Sequence, residues 1–398
     1  MKQAVFSLAI VFALASCNQS AKDNVYDVKE FTSPAGDSCA EPYLFTDKNG
    51  TVYLSWIEKN NKQSSLKFSS LSKAEWSTPV SIAAGDNWFV NWADYPMLAA
   101  NGNNNLVAHY LEKSDTAKFT YDVKYVTSAD NGKTWAAAKI LHDDGKQAEH
   151  GFVSIKPYGD KFFVSWLDGR NTVSEESGNH DGHHGQMSIR GAILTKDGTK
   201  EKEWELDNRV CDCCQTDVAI TVNGPIVIYR DRSGDEIRDI SIVRFVNDQW
   251  TAPKAIYADE WKINGCPVNG PRADAVGNNL AIAWFSMKDS KGQVKVIFSK
   301  DGGGSFGAPV QIDEGNPVGR VDLLMLNEKS AMVSWMEGSD IKAIQVNADG
   351  TTGKPIMIAA SSDARSSGFP QMTRAGKKII FAWTDIKSKT IKLAAIEL

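Results

Sequence analysis

A short apolar run that ends in an aromatic residue recurs seven times along the chain, and this repeat constrains the fold more than any other feature. The aromatic residues that end the runs are Trp56, Tyr110, Trp166, Tyr229, Trp284, Trp335 and Trp383. Successive members are 54, 56, 63, 55, 51 and 48 residues apart. Each run is rich in β-branched and aromatic residues and lies between turn residues, which predicts a β-strand.

The strands that contain these runs have similar neighbours. A preceding strand ends in a turn such as Asn49-Gly50, an alternating strand such as Leu66–Ser70 follows, and an outer strand such as Pro79–Ile82 comes last. Four strands in a unit of roughly 40–55 residues are typical of a β-propeller blade. The sequence therefore predicts an all-β propeller of seven four-stranded blades, or of six if one unit is an insertion.

The two ends of the repeat predict how the ring closes. The seventh unit ends at Leu398 after its third strand, Ile391–Glu397. We expect the N-terminal segment Val25–Phe31 to supply the fourth strand, because a closed ring leaves no exposed sheet edge. The predicted propeller thus spans residues 25–398.

The N-terminus has the features of an export signal. Residues 1–16 combine a positive charge at Lys2, an apolar stretch and small residues before Cys17, which predicts a secretory signal. The ending Leu14-Ala15-Ser16-Cys17 resembles a bacterial lipobox, which implies lipidation of Cys17, a tether over residues 17–24 and a place in the cell envelope. Asn18 favours the outer membrane if the source is Gram-negative. An ordinary signal with a chance cysteine is the alternative.

Charge and hydropathy exclude several classes of partner. The chain of 398 residues carries a net charge of −5 and has no block of Lys or Arg, which argues against binding to nucleic acid. No apolar run of 18 or more residues follows the N-terminal stretch, so contact with a membrane is expected through the lipid anchor only.

Two turns carry a more specific motif. Ser128–Trp135 and Ser299–Phe306 both follow the pattern Ser-x-Asp-x-Gly-x-Thr/Ser-aromatic. In such a turn the Asp accepts hydrogen bonds from turn amides, Gly adopts a positive φ, and the aromatic ring packs between sheets. The motif resembles the Asp box of sialidases and other BNR-repeat propellers.

Further segments resemble bacterial proteins that are labelled exo-α-sialidase or sialidase family. They are Asn91–Asp94, Glu149–Phe152, Trp166–Arg170, Cys211–Asp217 and Tyr229–Ser233. The resemblance implies a sialidase-superfamily propeller that is directed at carbohydrate or another small acidic ligand, with glycoside hydrolysis as the leading activity. A non-catalytic propeller that binds a glycan or a protein is the alternative.

Propeller topology predicts where a site would lie. The loops that lead into each first strand (here called lead-in loops) and the loops between second and third strands open on one face, around the central channel. Sialidases bind a carboxylate with three arginines, use a Tyr activated by Glu as nucleophile, and use an Asp as acid/base. The resemblance implies a clamp of Arg272, Arg320 and Arg365 with Asp94 or Asp168 as acid, but the sequence identifies no Tyr/Glu pair.

Other charged residues on the same loops complete the candidate set. Glu149 is a further catalytic candidate. The substrate-binding candidates are His150, Arg170, Asp217, Arg230, Asp231 and Arg232.

The cysteines support a competing hypothesis. Cys211, Cys213 and Cys214 share one lead-in loop, Cys266 lies in the next, and a long loop contains His183 and His184. Thiolates and imidazoles of this kind suit copper or zinc. In an exported protein a Cys211–Cys266 or Cys214–Cys266 disulfide is the favoured interpretation, so no cofactor is firmly predicted.

Overall fold

The computed structural model describes residues 26–73, 75–173 and 185–398. The predicted signal (residues 1–16), the tether with Cys17 (residues 17–24), and His183 and His184 lie outside the described residues. The hypotheses about them stay predictions. No helix within the described residues is long and apolar enough to cross a bilayer.

Seven antiparallel sheets follow one another along the chain and form seven blades, which confirms the predicted propeller and excludes the six-blade alternative. Blade 1 contains Cys39–Thr46, Val52–Asn60, Gln63–Ser72, Glu75–Trp76 and Val80–Gly85; blade 2 contains Leu98–Ala100, Leu106–Lys113, Tyr121–Ser128 and Lys139–Ile140. Blade 3 contains His150–Tyr158, Lys161–Asp168, Ser188–Leu194 and Lys200–Asp207; blade 4 contains Asp217–Thr221, Gly224–Arg230, Ile240–Val246, Gln249–Trp250 and Lys254–Ala255.

The remaining three blades have the same layout. Blade 5 contains Arg272–Val276, Asn279–Lys288, Lys291–Ser299 and Val310–Gln311; blade 6 contains Pro317–Asn327, Ser330–Glu337, Asp340–Asn347 and Ile356–Ala360. Blade 7 contains Gln371–Ala375, Lys378–Asp385, Thr390–Glu397 and Lys29–Phe31, and a 3-10 turn, Arg365–Ser367, precedes it.

The N-terminal strand closes the ring as predicted. Lys29–Phe31 pairs antiparallel with Thr390–Glu397, and Lys29 lies opposite Ala395. The paired segment is shorter than the expected Val25–Phe31, since only three residues form the ladder. Blade 7 is therefore built from both ends of the chain, which leaves its third strand without an open edge.

The repeated aromatic residues pack between blades rather than toward a ligand. All seven lie on the second strand of their blades and are buried, and Trp56, Trp166, Trp284 and Trp335 are at most 1% exposed. Trp56, for example, shares an apolar cluster with Ile380 and Leu393 of blade 7. Burial of one such side chain stabilises the fold by roughly 1.5–3 kcal/mol, so the repeat supplies much of the inter-blade packing.

The two Asp boxes have the same internal hydrogen bonds. Asp130 Oδ1 accepts from the Thr134 amide at 2.9 Å, and Asp301 Oδ1 accepts from the Ser305 amide at 2.9 Å. Gly132 and Gly303 both adopt φ of 80°, a conformation that glycine adopts without strain. These bonds hold the pKa of Asp130 at about 2 through its Thr134 and Ser128 partners.

Candidate functional site

The centre of the mouth is filled by the lead-in loop of blade 2. Trp92 stacks on Phe369 with ring centroids 5.7 Å apart, and both Tyr95 and Phe369 belong to one buried apolar cluster with residues of blades 3 and 4. Gln215 fixes this loop by donating from Nε2 to the Ala93 carbonyl at 2.6 Å. A ligand that approaches this face therefore meets the rim of the mouth first.

The inner strands are tied together by aspartates that line the channel. Asp217 accepts from the Ala273 amide at 2.8 Å, and Asp322 accepts from the Met372 amide at 2.6 Å. In each pair the carboxylate belongs to one blade and the amide to the next. Asp217, predicted to bind substrate, thus faces a channel cavity of about 420 Å³ and holds two blades together.

The three arginines of the predicted clamp lie in different surroundings. Arg320 is buried, and its Nη1 donates to Ser367 Oγ at 2.6 Å and to the Gly368 carbonyl at 3.0 Å. Its Nη2 donates to the carbonyls of Asp363 and Ala364 at 2.9 and 3.1 Å. The guanidinium therefore holds the backbone around the 3-10 turn and has little hydrogen-bonding capacity left for a sugar carboxylate.

The other two members of the clamp differ from Arg320 and from each other. Arg272 is buried, donates to the Thr216 carbonyl at 3.1 Å, and lies over the ring of Tyr95 at 5.7 Å. Its Nη2 has no hydrogen-bond partner within the described residues. Arg365, in contrast, is exposed on the turn that Arg320 holds. A joint role of the three arginines in binding a carboxylate stays a prediction.

The structure brings a Tyr, a Glu and an Asp together at the rim between blades 2 and 3. The Tyr121 hydroxyl donates to Glu149 Oε1 at 2.8 Å, and it also interacts with the Asp94 carboxyl. Because one phenolic proton serves one carboxyl at a time, Asp94 Oδ2 has no hydrogen-bond donor among the described residues. We call Tyr121, Glu149 and Asp94 the rim trio.

Backbone and ring contacts hold the rim trio in place. Asp94 Oδ1 accepts from the Phe152 amide at 2.8 Å, and the ring of Phe89 stacks on Tyr121 at 4.0 Å. A Cβ atom at Gly151 would lie 2.1 Å from Asp94 Oδ2, so only glycine allows the carboxyl this close. Tyr121 is 1% exposed.

Burial raises the pKa of both carboxyl groups of the trio toward neutral pH, and it raises the pKa of the Tyr121 phenol well above its ordinary value. It raises the pKa of Glu149 to about 8, with further increases from the charges of Asp94 and Asp212. It raises the pKa of Asp94 to about 7. Two carboxyl groups that exchange protons near pH 7 beside a phenol are suited to acid/base chemistry.

Sequence reasoning selected Asp94 and Glu149 but missed Tyr121. The Tyr starts the third strand of blade 2, and its backbone forms an isolated parallel bridge to Glu149 of blade 3. The available signal was an aromatic residue at the start of a third strand, on the mouth face, but nothing in the sequence indicated which neighbouring loop it would touch.

A second polar cluster surrounds the predicted residues Asp168, Arg170 and His150. Arg170 donates to Asp168 through Nε at 2.8 Å and Nη2 at 2.9 Å, and His150 Nε2 lies 3.7 Å from Asp168 Oδ1. Although burial opposes ionisation, Arg170 and His150 hold the pKa of Asp168 below its ordinary value. An ionised, doubly hydrogen-bonded Asp168 is a poor proton donor at neutral pH, in contrast with its predicted role as an acid.

Two further side chains in this cluster were not selected from the sequence. The ring of His142 stacks on His150 with centroids 3.6 Å apart, and Asp144 accepts from both imidazoles, at 2.7 and 3.1 Å. Asp122, His142 and His150 form one group of possible metal ligands, and Asp144, His150 and Asp168 form another. Hydrogen bonds within the cluster already engage most of these atoms.

The remaining predicted substrate-binding residues contact protein groups. Buried Arg230 makes four hydrogen bonds to the carbonyls of Arg238, Asn269 and Phe285 at 2.6–3.0 Å. Arg232 binds both carboxyl oxygens of Asp212 at 3.1 Å and also pairs with Glu236, while Asp231 accepts from Ser241 Oγ at 3.0 Å. All three side chains therefore hold neighbouring loops and strands in place, and their role in binding a substrate stays a prediction.

The cysteines form no disulfide within the described residues. The Sγ atoms of Cys211 and Cys214 lie 3.0 Å apart. The sequence favours a disulfide from Cys266 to one of these two residues, whereas the structure brings the two to each other. Cys39 lies apart, where its thiol donates to the Asp37 carbonyl at 3.4 Å.

Comparison with known proteins places this architecture in a family. A family model described as a BNR repeat-like domain matches residues 61–379, most of the chain. This chain belongs to the BNR repeat-like family. The sialidase-superfamily propeller predicted from the Asp boxes is confirmed by this match together with the seven observed blades.

Solved structures resemble this BNR repeat-like propeller in fold. The polysaccharide lyase Uly1 matches with a TM-score of 0.55 and 9% identity, over 96% of this chain and 94% of that chain. The NanB sialidase from Streptococcus pneumoniae matches with a TM-score of 0.47 and 10% identity, over 87% and 83%. No curated protein sequence matches this one. At such low identity the likeness concerns the fold alone.

Proposed function

We propose that this BNR repeat-like propeller cleaves glycosidic bonds in a carbohydrate substrate and that the rim trio carries out the reaction. The observation that carries the proposal is the hydrogen bond of 2.8 Å from the Tyr121 hydroxyl to Glu149, with the Asp94 carboxyl beside the same hydroxyl. These are the three residue types that sialidases use as nucleophile, activating base and acid. The lipid anchor at Cys17 and the place in the cell envelope stay predictions from the sequence.

The three side chains of the rim trio can carry out a double displacement at the anomeric carbon of the sugar. The Tyr121 oxygen attacks the anomeric carbon while its proton passes to Glu149, and the departing glycosidic oxygen takes a proton from Asp94. Water then attacks the same carbon and returns a proton to Asp94. Tyr121 leaves the sugar and recovers its proton from Glu149, so the enzyme ends as it began.

The position of Glu149 defines how a substrate approaches. Glu149 is half-buried, whereas Tyr121 and Asp94 are at most 3% exposed. A sugar therefore reaches the phenol from the Glu149 side of the rim, while Glu149 stays hydrogen-bonded to the hydroxyl whose proton it accepts. The proposal does not depend on a carboxylate in the sugar, because Arg320 is bound to protein carbonyls.

The test measures release of a fluorescent aglycone from a panel of sialic acid, hexuronic acid and neutral sugar glycosides. Against any glycoside that the wild type cleaves, we expect Tyr121→Phe to lower kcat by about 10²–10⁴, the usual range for loss of a reacting group. Tyr125→Phe is the matched control. Tyr125 lies on the same strand, is buried, and donates to the Gly198 carbonyl at 2.8 Å, away from the trio.

Two outcomes would count against the proposal. Equal losses in the Tyr121→Phe and Tyr125→Phe variants would assign the effect to folding rather than to chemistry. Glycan binding without cleavage of any glycoside, retained in Tyr121→Phe, would identify a non-catalytic binding propeller instead.

The pKa values of the trio predict an activity optimum between about pH 7 and pH 8. Glu149 acts as a base only when ionised, and Asp94 acts as an acid only when protonated, yet the base has the higher pKa, about 8 against about 7. The required pair of forms is therefore a minor fraction at every pH, and the rate rises as the pH increases through about 7 and falls as it increases through about 8. Multiplication of the two ionisation fractions gives a bell-shaped pH profile. Its two apparent pKa values describe the coupled pair of carboxyl groups rather than either residue alone.

The measurement is kcat/KM from about pH 5 to pH 10, which reports groups in the free enzyme. The Tyr125→Phe variant should show the same two limbs as the wild type. A maximum below about pH 6 would mean that carboxyl groups with ordinary pKa values control the reaction.

A further inference from the structure

Four cysteines on two neighbouring lead-in loops approach one another closely. The Sγ atom of Cys211 lies 3.0 Å from that of Cys214 and 3.9 Å from that of Cys213, and the three sulfurs all lie within 4.8 Å of one another. Cys266, from the loop before blade 5, interacts with Cys213 through its thiol. We call these four residues the cysteine cluster.

The loop that carries three of the thiols is anchored at its start. The Cys211 amide donates to the Arg230 carbonyl at 3.0 Å, and Val210 pairs with Asp231. Cys211 and Cys214 are 1% and 2% exposed, Cys213 is half-buried, and Cys266 is exposed. The sulfurs are therefore held by the fold, and the cluster opens to solvent on the Cys266 side.

Positive charge lies beside the buried sulfurs. Arg238 Nη1 donates to Cys211 Sγ at 3.3 Å, and the charge of Arg230 acts on Cys214. A guanidinium at this distance stabilises a thiolate, the form of cysteine that binds metals.

We propose that the cysteine cluster binds one Cu(I) ion through the thiolates of Cys211, Cys213 and Cys214, with Cys266 at the solvent side where the ion arrives. Soft thiolate ligands select Cu(I). Sulfurs that share one ion at about 2.3 Å lie roughly 3.8–4.0 Å apart, and the observed 3.0 and 3.9 Å separations require only a small movement. Three thiolates with one Cu(I) carry two negative charges, and the cations nearby are Arg230 and Arg238, of which Arg238 also pairs with Glu236 at 2.7 Å.

Zinc and a disulfide are the two competing states of the same sulfurs. A structural zinc site needs four ligands in a tetrahedron, and the fourth here would be the exposed Cys266 from another loop. A Cys211–Cys214 disulfide would leave Cys213 as the only thiol on its loop. Both states are distinguishable from Cu(I) binding by stoichiometry and by thiol count.

The experiment uses the full chain, reduced and kept without oxygen, and titrates it with Cu(I) in competition with a chromogenic Cu(I) chelator. We expect one Cu(I) per chain. The variants Cys211→Ser, Cys213→Ser and Cys214→Ser should each weaken Cu(I) binding by at least about 100-fold, since loss of even an outer partner of a metal ligand costs roughly 10–100-fold.

Cys39→Ser is the matched control, because Cys39 is also a buried free thiol but lies outside the cluster, and it should bind Cu(I) like the wild type. An equal loss of Cu(I) binding in Cys39→Ser would overturn the proposal, and so would a wild-type chain that binds no Cu(I).

The competing states give different results. Tighter binding of Zn(II) that needs all four cysteines would assign the site to zinc. Loss of two thiols in air despite bound Cu(I) would assign a disulfide. The readout is binding alone, so it is independent of the proposed glycosidase activity.

Discussion

Replacement of Arg320 by Met is expected to lower the free energy of unfolding by about 3–5 kcal/mol, because two buried and two partly buried acceptors lose their donor. The cost is roughly 1–3 kcal/mol for each buried acceptor. The four acceptors are Ser367 Oγ and the carbonyls of Asp363, Ala364 and Gly368. The guanidinium also covers the ring of Trp92 at 5.2 Å. The measurement is urea unfolding, in which a lower midpoint at an unchanged slope reports stability.

Arg365→Ala provides the control for Arg320→Met. Arg365 is exposed on the same turn, and a surface substitution of this kind changes stability by no more than about 0.5 kcal/mol. If Arg320→Met left stability unchanged and instead raised KM for an acidic sugar alone, the structural role would be wrong. The predicted carboxylate clamp would then regain support.

A chain that begins at Ser33 is expected to be about 3–6 kcal/mol less stable than one that begins at Tyr26, and to self-associate. Removal of residues 26–32 abolishes the pairing of Lys29–Phe31 with the last strand, Thr390–Glu397. It also removes the packing of Tyr26 and Val28 on blade 7. Each backbone hydrogen bond contributes about 1 kcal/mol, and each half-buried apolar side chain about 1 kcal/mol more. The bare last strand then offers an open edge to other chains.

Urea unfolding and the sedimentation of the two chains at several concentrations measure both effects. The chain that begins at Tyr26 lacks the predicted signal, the predicted tether and Val25, but it keeps the closing strand and its packing, so it should be monodisperse and fully stable. Equal midpoints and equal sedimentation for the two chains would show that the ring does not need this strand.

The sequence predicted the architecture well because a propeller repeats one local pattern. Alternation along each strand and the aromatic residue at the end of each second strand follow from which side chains face the next blade, and these are short-range properties. The closing strand was also predictable, since the seventh unit was one strand short. The bounds differed, because only three residues form the ladder.

The candidate site was less accessible from the sequence. Asp94 and Glu149 were selected because of the loops that carry them, but their partner Tyr121 lies on a strand of a different blade from Glu149. Arg320 was selected as a ligand for a carboxylate, yet burial directs it to backbone carbonyls. A charged residue on a loop has the same sequence signature whether it contacts solvent or the backbone of a neighbouring blade.

The amino-acid sequence by itself determined the strand pattern, the propeller architecture, the way the ring closes and the loops that face the mouth. Only the tertiary structure decided which side chains of different blades meet, such as Tyr121 with Glu149 and Arg320 with the turn before blade 7. The physical reason is the distance along the chain over which each property is set. Backbone pattern is set by neighbours within a few residues, whereas hydrogen-bond geometry depends on how separate blades pack, at a precision of tenths of an ångström.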